Sequence, residues 1–140
     1  MTDYEWIREA SPAWDADKAR IVGGAPAGVF DEIYRKLTVG ALAPGTWWRV
    51  VKSDRIVGYG WMDVVWGDAE ILVATAPNAR GKGAGSFALA RLGEEAAAQG
   101  LNYVYNVVRH THPQAPELTR FLHKNGFKPA EDGRLSKRAG

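Results

Sequence analysis

Residues 80–86 read Arg-Gly-Lys-Gly-Ala-Gly-Ser, three glycines interleaved with two cations between a strand-like run and a helical one. Strand, glycine loop, helix and strand at this length form a right-handed crossover, which sets the two strands parallel in one sheet. The first strand is residues 70–76, stopped by Pro77. Leu89, Leu92, Ala96 and Ala97 mark the helix, Gly100 closes it, and residues 103–108 are the second strand. The helix needs no side-chain cap if a ligand serves its first N–H groups. Those groups and the positive helix end favour an anion, which glycine lets approach closely, and Arg80 and Lys82 add charge. Phosphate or pyrophosphate is the expected ligand. A plain tight turn would account for the glycines but not for the cations among them.

Upstream the pattern alternates with a period of two. Residues 46–51, 56–66 and 70–76 read as strands joined by turns at Ser53-Asp54 and Gly67-Asp68, too short for anything but an antiparallel meander. Residues 4–8 form a short strand. Ser11-Pro12 opens a helix that stops at Gly23-Gly24, and Pro26 opens a second in which Phe30, Ile33, Tyr34 and Leu37 share a face. Pro116 opens a last helix with Leu118, Phe121 and Leu122 inward, ended by Asn125-Gly126, with room for a short strand after Phe127. Lys124, Lys128, Arg134, Lys137 and Arg138 make the C-terminal end a basic, solvated tail. The expected fold is α/β (α+β), a mixed, mostly antiparallel central sheet with helices on both faces, in one domain over residues 1–140.

Several classes of function fall away. The chain has no cysteine, which removes disulfides, thiol nucleophiles and thiolate metal sites. No apolar run reaches the ~20 residues that span a bilayer, and Asp3 and Glu5 stand where a leader would be basic, so no membrane association and a cytoplasmic location are expected. A net charge of +2 is weak evidence for nucleic acid, and the cations do not interleave with aromatics as a stacking groove requires. His110 and His112 could share a face, but without a nearby third ligand no metal site is expected. A dinucleotide fingerprint would need glycine where Ser86 stands, and the spacing of a mononucleotide P-loop is absent.

Residues 75–85, Thr-Ala-Pro-Asn-Ala-Arg-Gly-Lys-Gly-Ala-Gly, resemble the acyl-CoA signature of the GNAT superfamily of N-acetyltransferases, with Thr75 in place of valine. Ile56-Val57-Gly58 at the start of a meander strand, the helix after the loop, and Asn125-Gly126-Phe127 agree. The resemblance implies acetyl-CoA as cosubstrate. Its pyrophosphate would lie on the amides of Arg80, Gly81, Lys82, Gly83, Ala84, Gly85 and Ser86, and its pantetheine along Val73, Ala74 and Thr75, where the family's two parallel strands splay apart. The backbone amide of Ala74 or Thr75 would hold the thioester oxygen as it becomes an oxyanion. The implied reaction is acetyl transfer to a primary amine, on a small molecule or peptide, by direct attack; the alternative is a noncatalytic acyl-CoA sensor or interaction module on the same fold. A homodimer is compatible with either.

An attacking amine must lose a proton. Glu70, at the start of the strand that leads to the loop, is the candidate base, with Asp63 on the neighbouring strand second. The tyrosine that would protonate the leaving thiolate in the family is replaced by Leu122, and an upstream asparagine by Ala115. Water, His123 or a residue that the resemblance does not reach would have to serve instead. Trp47, Trp48, Trp61 and Trp66 on adjoining strands are expected to pack in the core, with a subset lining an acceptor pocket.

Overall fold

The computed structural model describes residues 3–23, 37–43, 45–108, 112–130 and 134–140. Within these, β1 (Glu5–Arg8), β2 (Thr46–Lys52), β3 (Arg55–Val65), β4 (Asp68–Thr75), β5 (Tyr103–Asn106), β6 (Lys128–Pro129) and β7 (Leu135–Arg138) form one sheet in the order β1-β2-β3-β4-β5-β7-β6. The β4·β5 pair is parallel and the other described pairs are antiparallel. Helices α1 (Ala16–Ile21), α2 (Ala84–Ala98) and α3 (Ala115–Lys124) and a 3₁₀ turn at Pro77–Ala79 complete the described elements. This is the mixed, mostly antiparallel sheet read from the sequence.

Local chemistry moved several boundaries. The turn at Ser53 and Asp54 forms as expected, both residues left-handed at φ 52° and 62°. The next turn falls one residue earlier than read. Its central residues are Trp66 (φ 52°) and Gly67 (φ 82°), while Asp68 already pairs with Val65; a type I′ hairpin turn needs positive φ at both central positions, and Gly67 satisfies the second. Helix α1 starts at Ala16 rather than after Pro12, because Asp15 caps it by accepting the Lys18 N–H at 2.8 Å. Residues 12–14 are drawn into extended pairing instead: the Pro12 carbonyl accepts the Ala43 N–H, and the Trp14 N–H donates to the Ala41 carbonyl. The expected second helix lies outside the described residues apart from Leu37.

The basic tail is a strand. Leu135, 5% exposed, enters the core while β7 slots between β5 and β6. One apolar residue among cations carries too little periodic signal to announce this.

Two cores lie on the two sheet faces. Trp48, Met62, Ile71, Val104 and Leu135 pack under Leu89, Leu92 and Ala96 of α2 and Leu122 of α3. On the other face Trp47, Tyr59 and Ala74 pack with Trp14 and, from α1, Ile21. Adjacent Trp47 and Trp48 therefore point to opposite faces, as strand alternation requires. Trp6 stacks on Trp48 with centroids 5.5 Å apart. Gly60 makes room for it, since a Cβ there would meet the Trp6 ring at 2.5 Å. Lys18 is fully buried beside Trp47 and Tyr59, held by Glu9 at 2.6 Å and Asp15 at 3.2 Å.

Candidate functional site

The site begins where the parallel pair stops. Strands β4 and β5 share only Ala69 with Val104 and Glu70 with Tyr105. At the next position the buried Asn106 side chain donates its Nδ2 hydrogen to the Ile71 carbonyl at 2.8 Å. The asparagine satisfies an oxygen that a third backbone rung would have used, so β5 can leave β4 without orphaning it. Asn106 was missed in the sequence, where it looks like a strand-end polar residue.

Backbone polarity alternates along a strand. The Ala76 N–H donates to the Val57 carbonyl at 2.8 Å, so in the antiparallel register with β3 the amides of Ala74 and Leu72 also turn toward β3. Ile71 turns toward β5, and with it the amides of Val73 and Thr75, which face the gap. Of the two amides expected to hold an oxyanion, Thr75 faces the gap and Ala74 does not; Val73 joins Thr75. Val73 and Thr75 line a cleft of about 520 Å³, while Ala74 is buried among Trp47 and Tyr59. The cleft has walls from both faces, Glu70, Leu72 and Trp61 on one and Ile71, Leu89 and Phe121 on the other, so it runs through the sheet.

The glycine loop closes one end. After a 3₁₀ turn at Pro77–Ala79, Gly81 and Gly83 adopt φ of 77° and 92°, which glycine reaches without strain. A Cβ at either would meet nothing within 4 Å, so their surroundings are open to a ligand. Gly83 is the N-cap of α2, whose amino end receives no side-chain hydrogen bond. Gly85 has a different purpose: its Cβ would come within 3.0 Å of the Phe121 ring, so it lets α3 pack against α2. Arg80, Gly81, Gly83, Ala84, Gly85 and Ser86 line the cleft. The Lys82 carbonyl instead accepts the Tyr4 hydroxyl at 2.5 Å. Tyr4 packs on Phe87 at 5.4 Å, with the Lys52 ammonium 5.3 Å from its ring, a third cation near the loop. Neither contact is legible in the sequence, because the partners are 78 residues apart for Tyr4 and Lys82.

Glu70 stands on the sheet face away from α2 and α3 and still lines the cleft. Asp63 lies directly across β3 from it and is exposed. Tyr105 is its neighbour on β5. Burial pushes the Tyr105 hydroxyl above its usual pKa, and the charge of Glu70 adds to this, while Arg134, whose guanidinium lies 4.1 Å from the Tyr105 ring, opposes it. Leu122 is 2% exposed and apolar at the wall of the cleft. His112 lines the cleft and His123 on the exposed side of α3 does not. Burial holds the His112 imidazole below its usual pKa, against the opposing pull of Glu117. Among the described residues no group of three or more potential metal ligands gathers; His110 lies outside them. Of the tryptophans, Trp47 and Trp48 are core, Trp61 lines the cleft and Trp66 is 98% exposed at a hairpin tip. No described helix is long and apolar enough to cross a membrane.

Comparison with known proteins gives a consistent picture. The model of the acetyltransferase (GNAT) family matches residues 4–127. Residues of the chain are 38% identical over 81 positions to the tRNA(Met) cytidine acetyltransferase TmcA of Thermofilum pendens, a match over 58% of this chain and 9% of that protein. The chain thus corresponds to under a tenth of that relative's length. A GNAT-family protein from Desulfovibrio desulfuricans superposes with a TM-score of 0.69 over 98% of this chain and 99% of its own, at 15% identity. The PaiA N-acetyltransferase of Thermoplasma acidophilum, in complex with coenzyme A, gives 0.56 over 66% and 59% at 18% identity. At such identities the two structures speak for the fold.

Proposed function

The chain belongs to the acetyltransferase (GNAT) family, and from that premise we propose that it transfers an acetyl group from acetyl-CoA to a primary amine by direct attack. The observation that carries this reading is the through-sheet cleft with an uncapped helix end at one side and two backbone amides in its middle. The donor set fits the cosubstrate. Open, left-handed Gly81 and Gly83 and the first turn of α2 suit a pyrophosphate. The amides of Val73 and Thr75 would stabilise the developing oxyanion, a role for which fixed backbone dipoles need no reorganisation.

Glu70 is our candidate base, receiving the amine proton directly or through water. It reaches the cleft from the face opposite α2 and α3, so the acceptor would enter from that face, past Trp61 and Leu72, while the cosubstrate enters from the side of α2. The two reactants then meet in the gap, and no covalent acyl-enzyme is required. The TmcA relative acts, by its name, on a tRNA cytidine; with so small a part of it matched, we keep the acceptor class at amine. The buried, apolar Leu122 favours a second reading, a noncatalytic acyl-CoA sensor.

The test is thermal unfolding with acetyl-CoA, CoA, NAD and ATP, followed by turnover on an amine panel. Ligand at 100 times its Kd stabilises by about 2.7 kcal/mol, several degrees, and only the CoA ligands should do so. Gly83→Asp, which sets a negative charge at the helix end, should abolish the shift. Glu70→Gln should lower kcat with the shift intact. A shift without turnover on any amine selects the sensor; no shift overturns both readings.

A further inference from the structure

When an amine displaces CoA, the C–N bond forms, the C–S bond breaks and the electron pair leaves on sulfur. A thiolate formed in an apolar cleft is costly unless a donor meets it. If the oxygen sits on the β4 amides, the other substituents of that carbon point away from β4, so the partner of the sulfur must come from the opposite wall. The described residues of that wall are Asn106, Val107, His112, Leu118, Phe121, Leu122 and Lys124. Asn106 gives one Nδ2 hydrogen to the Ile71 carbonyl at 2.8 Å, which holds its amide against β4, the side from which the sulfur points away. Lys124 lies one turn beyond Phe121, which meets Gly85, so it belongs to the phosphate end. That leaves His112, which precedes α3.

The tautomer of His112 is fixed by its own turn. Its Nδ1 accepts the Gln114 N–H at 2.9 Å, so in the neutral ring the hydrogen is on Nε2. Protonating Nδ1 would break that bond, and burial disfavours the charged ring against the pull of Glu117. With Nδ1 accepting, the neutral imidazole presents a hydrogen, not a lone pair, at Nε2. We infer that His112, through Nε2–H, hydrogen-bonds the leaving sulfur of CoA in place of the hydroxyl that Leu122 lacks. No proton leaves the ring: the thiolate is stabilised by the hydrogen bond and protonated by water, and the amine proton goes to Glu70 or solvent.

The inference rests on the CoA reading and has its own test. His112→Asn keeps the turn, since an asparagine oxygen accepts an N–H two residues on, but removes the Nε2 donor. The readout is the titration of the thiol of bound CoA, followed by the ultraviolet absorbance of its thiolate, with CoA affinity measured in parallel. In the unaltered protein the bound thiol should titrate about one pH unit below free CoA, the size of shift that a hydrogen bond to the charged form produces. In H112N it should titrate at least about one pH unit higher than in the unaltered protein with Kd within twofold, and kcat should fall about a hundredfold at nearly constant KM. If the bound thiol titrates alike in both proteins, or like free CoA in the unaltered one, His112 only holds the turn and the inference is overturned. If CoA binds neither protein, the function reading itself falls and takes the inference with it.

Discussion

Replacing Tyr4 by phenylalanine removes one oxygen and leaves the rest of a well-defined contact in place. The hydroxyl donates to the Lys82 carbonyl at 2.5 Å, while the ring keeps its packing on Phe87 and its place under the Lys52 ammonium. That bond holds one carbonyl of the glycine loop turned to β1. Released, the carbonyl can swing its negative end toward the phosphates that the neighbouring amides would bind. A neutral hydrogen bond of this kind is worth about 1 kcal/mol net, which sets the ceiling on lost loop order and corresponds to about fivefold in Kd. The cost to global stability should be small, a fall in Tm of less than ~4 °C. Calorimetric titration with CoA and with pantetheine separates the effects, since pantetheine carries the arm but no pyrophosphate. Y4F should weaken CoA about fivefold and pantetheine not at all. Equal losses for both ligands, or none for CoA, would refute the anchoring role.

Asn106→Leu should destabilise by about 2 kcal/mol, because the Ile71 carbonyl is left buried without a donor; chemical denaturation measures it, and a change under 0.5 kcal/mol would mean that β5 re-pairs with β4. Lys18→Met leaves the mostly buried Glu9 without its closest cation, and breaking a buried ion pair costs about 3 kcal/mol, or roughly 10 °C in Tm; the nearby Arg49, 3.5 Å from Glu9, sets the lower limit, and a shift below 2 °C would show the cluster to be solvated. His112 has a folded pKa below its usual 6.5, so the unfolded chain binds more protons in that range. Its contribution to stability is therefore full above pH 6.5 and is lost as the pH falls from there toward the folded value. H112N should flatten that part of the stability profile, and an unchanged slope would reject the assignment.

The meander, the crossover and the glycine loop were legible because each is written locally. Alternation with short turns leaves no option but antiparallel pairing, and the glycines of residues 80–86 announce the strand-to-helix loop in their own composition. Long-range partners were not. Nothing near Tyr4 in the chain points to Lys82, and nothing near Leu135 says that a strand of cations will be covered on both edges. The Ser11-Pro12 pair is a good helix start in isolation, and lost to Asp15 because residues 41–43 offered residues 12–14 backbone partners. The glycines were read as one device and are two, since Gly81 and Gly83 open space while Gly85 admits Phe121.

The gap explains why so small a sheet can present a reaction centre. A regular parallel pair would have consumed the amides of Val73 and Thr75 in its ladder. Two rungs with Val104 and Tyr105, then one side-chain amide from Asn106, stop the ladder at Ile71 without leaving its carbonyl unsatisfied. The next outward-facing amides are then left for a ligand, at the depth where Glu70 enters from one face and the α2 terminus from the other. Asn106 therefore sets where the unpaired amides of β4 begin, and with them the proposed oxyanion site, although it touches neither the proposed acceptor amine nor the glycine loop. A substitution there should shift the balance between sheet and site: N106L can zip β4 and β5 further only by spending those two amides, so any stability it regains should appear as lost affinity for acetyl-CoA.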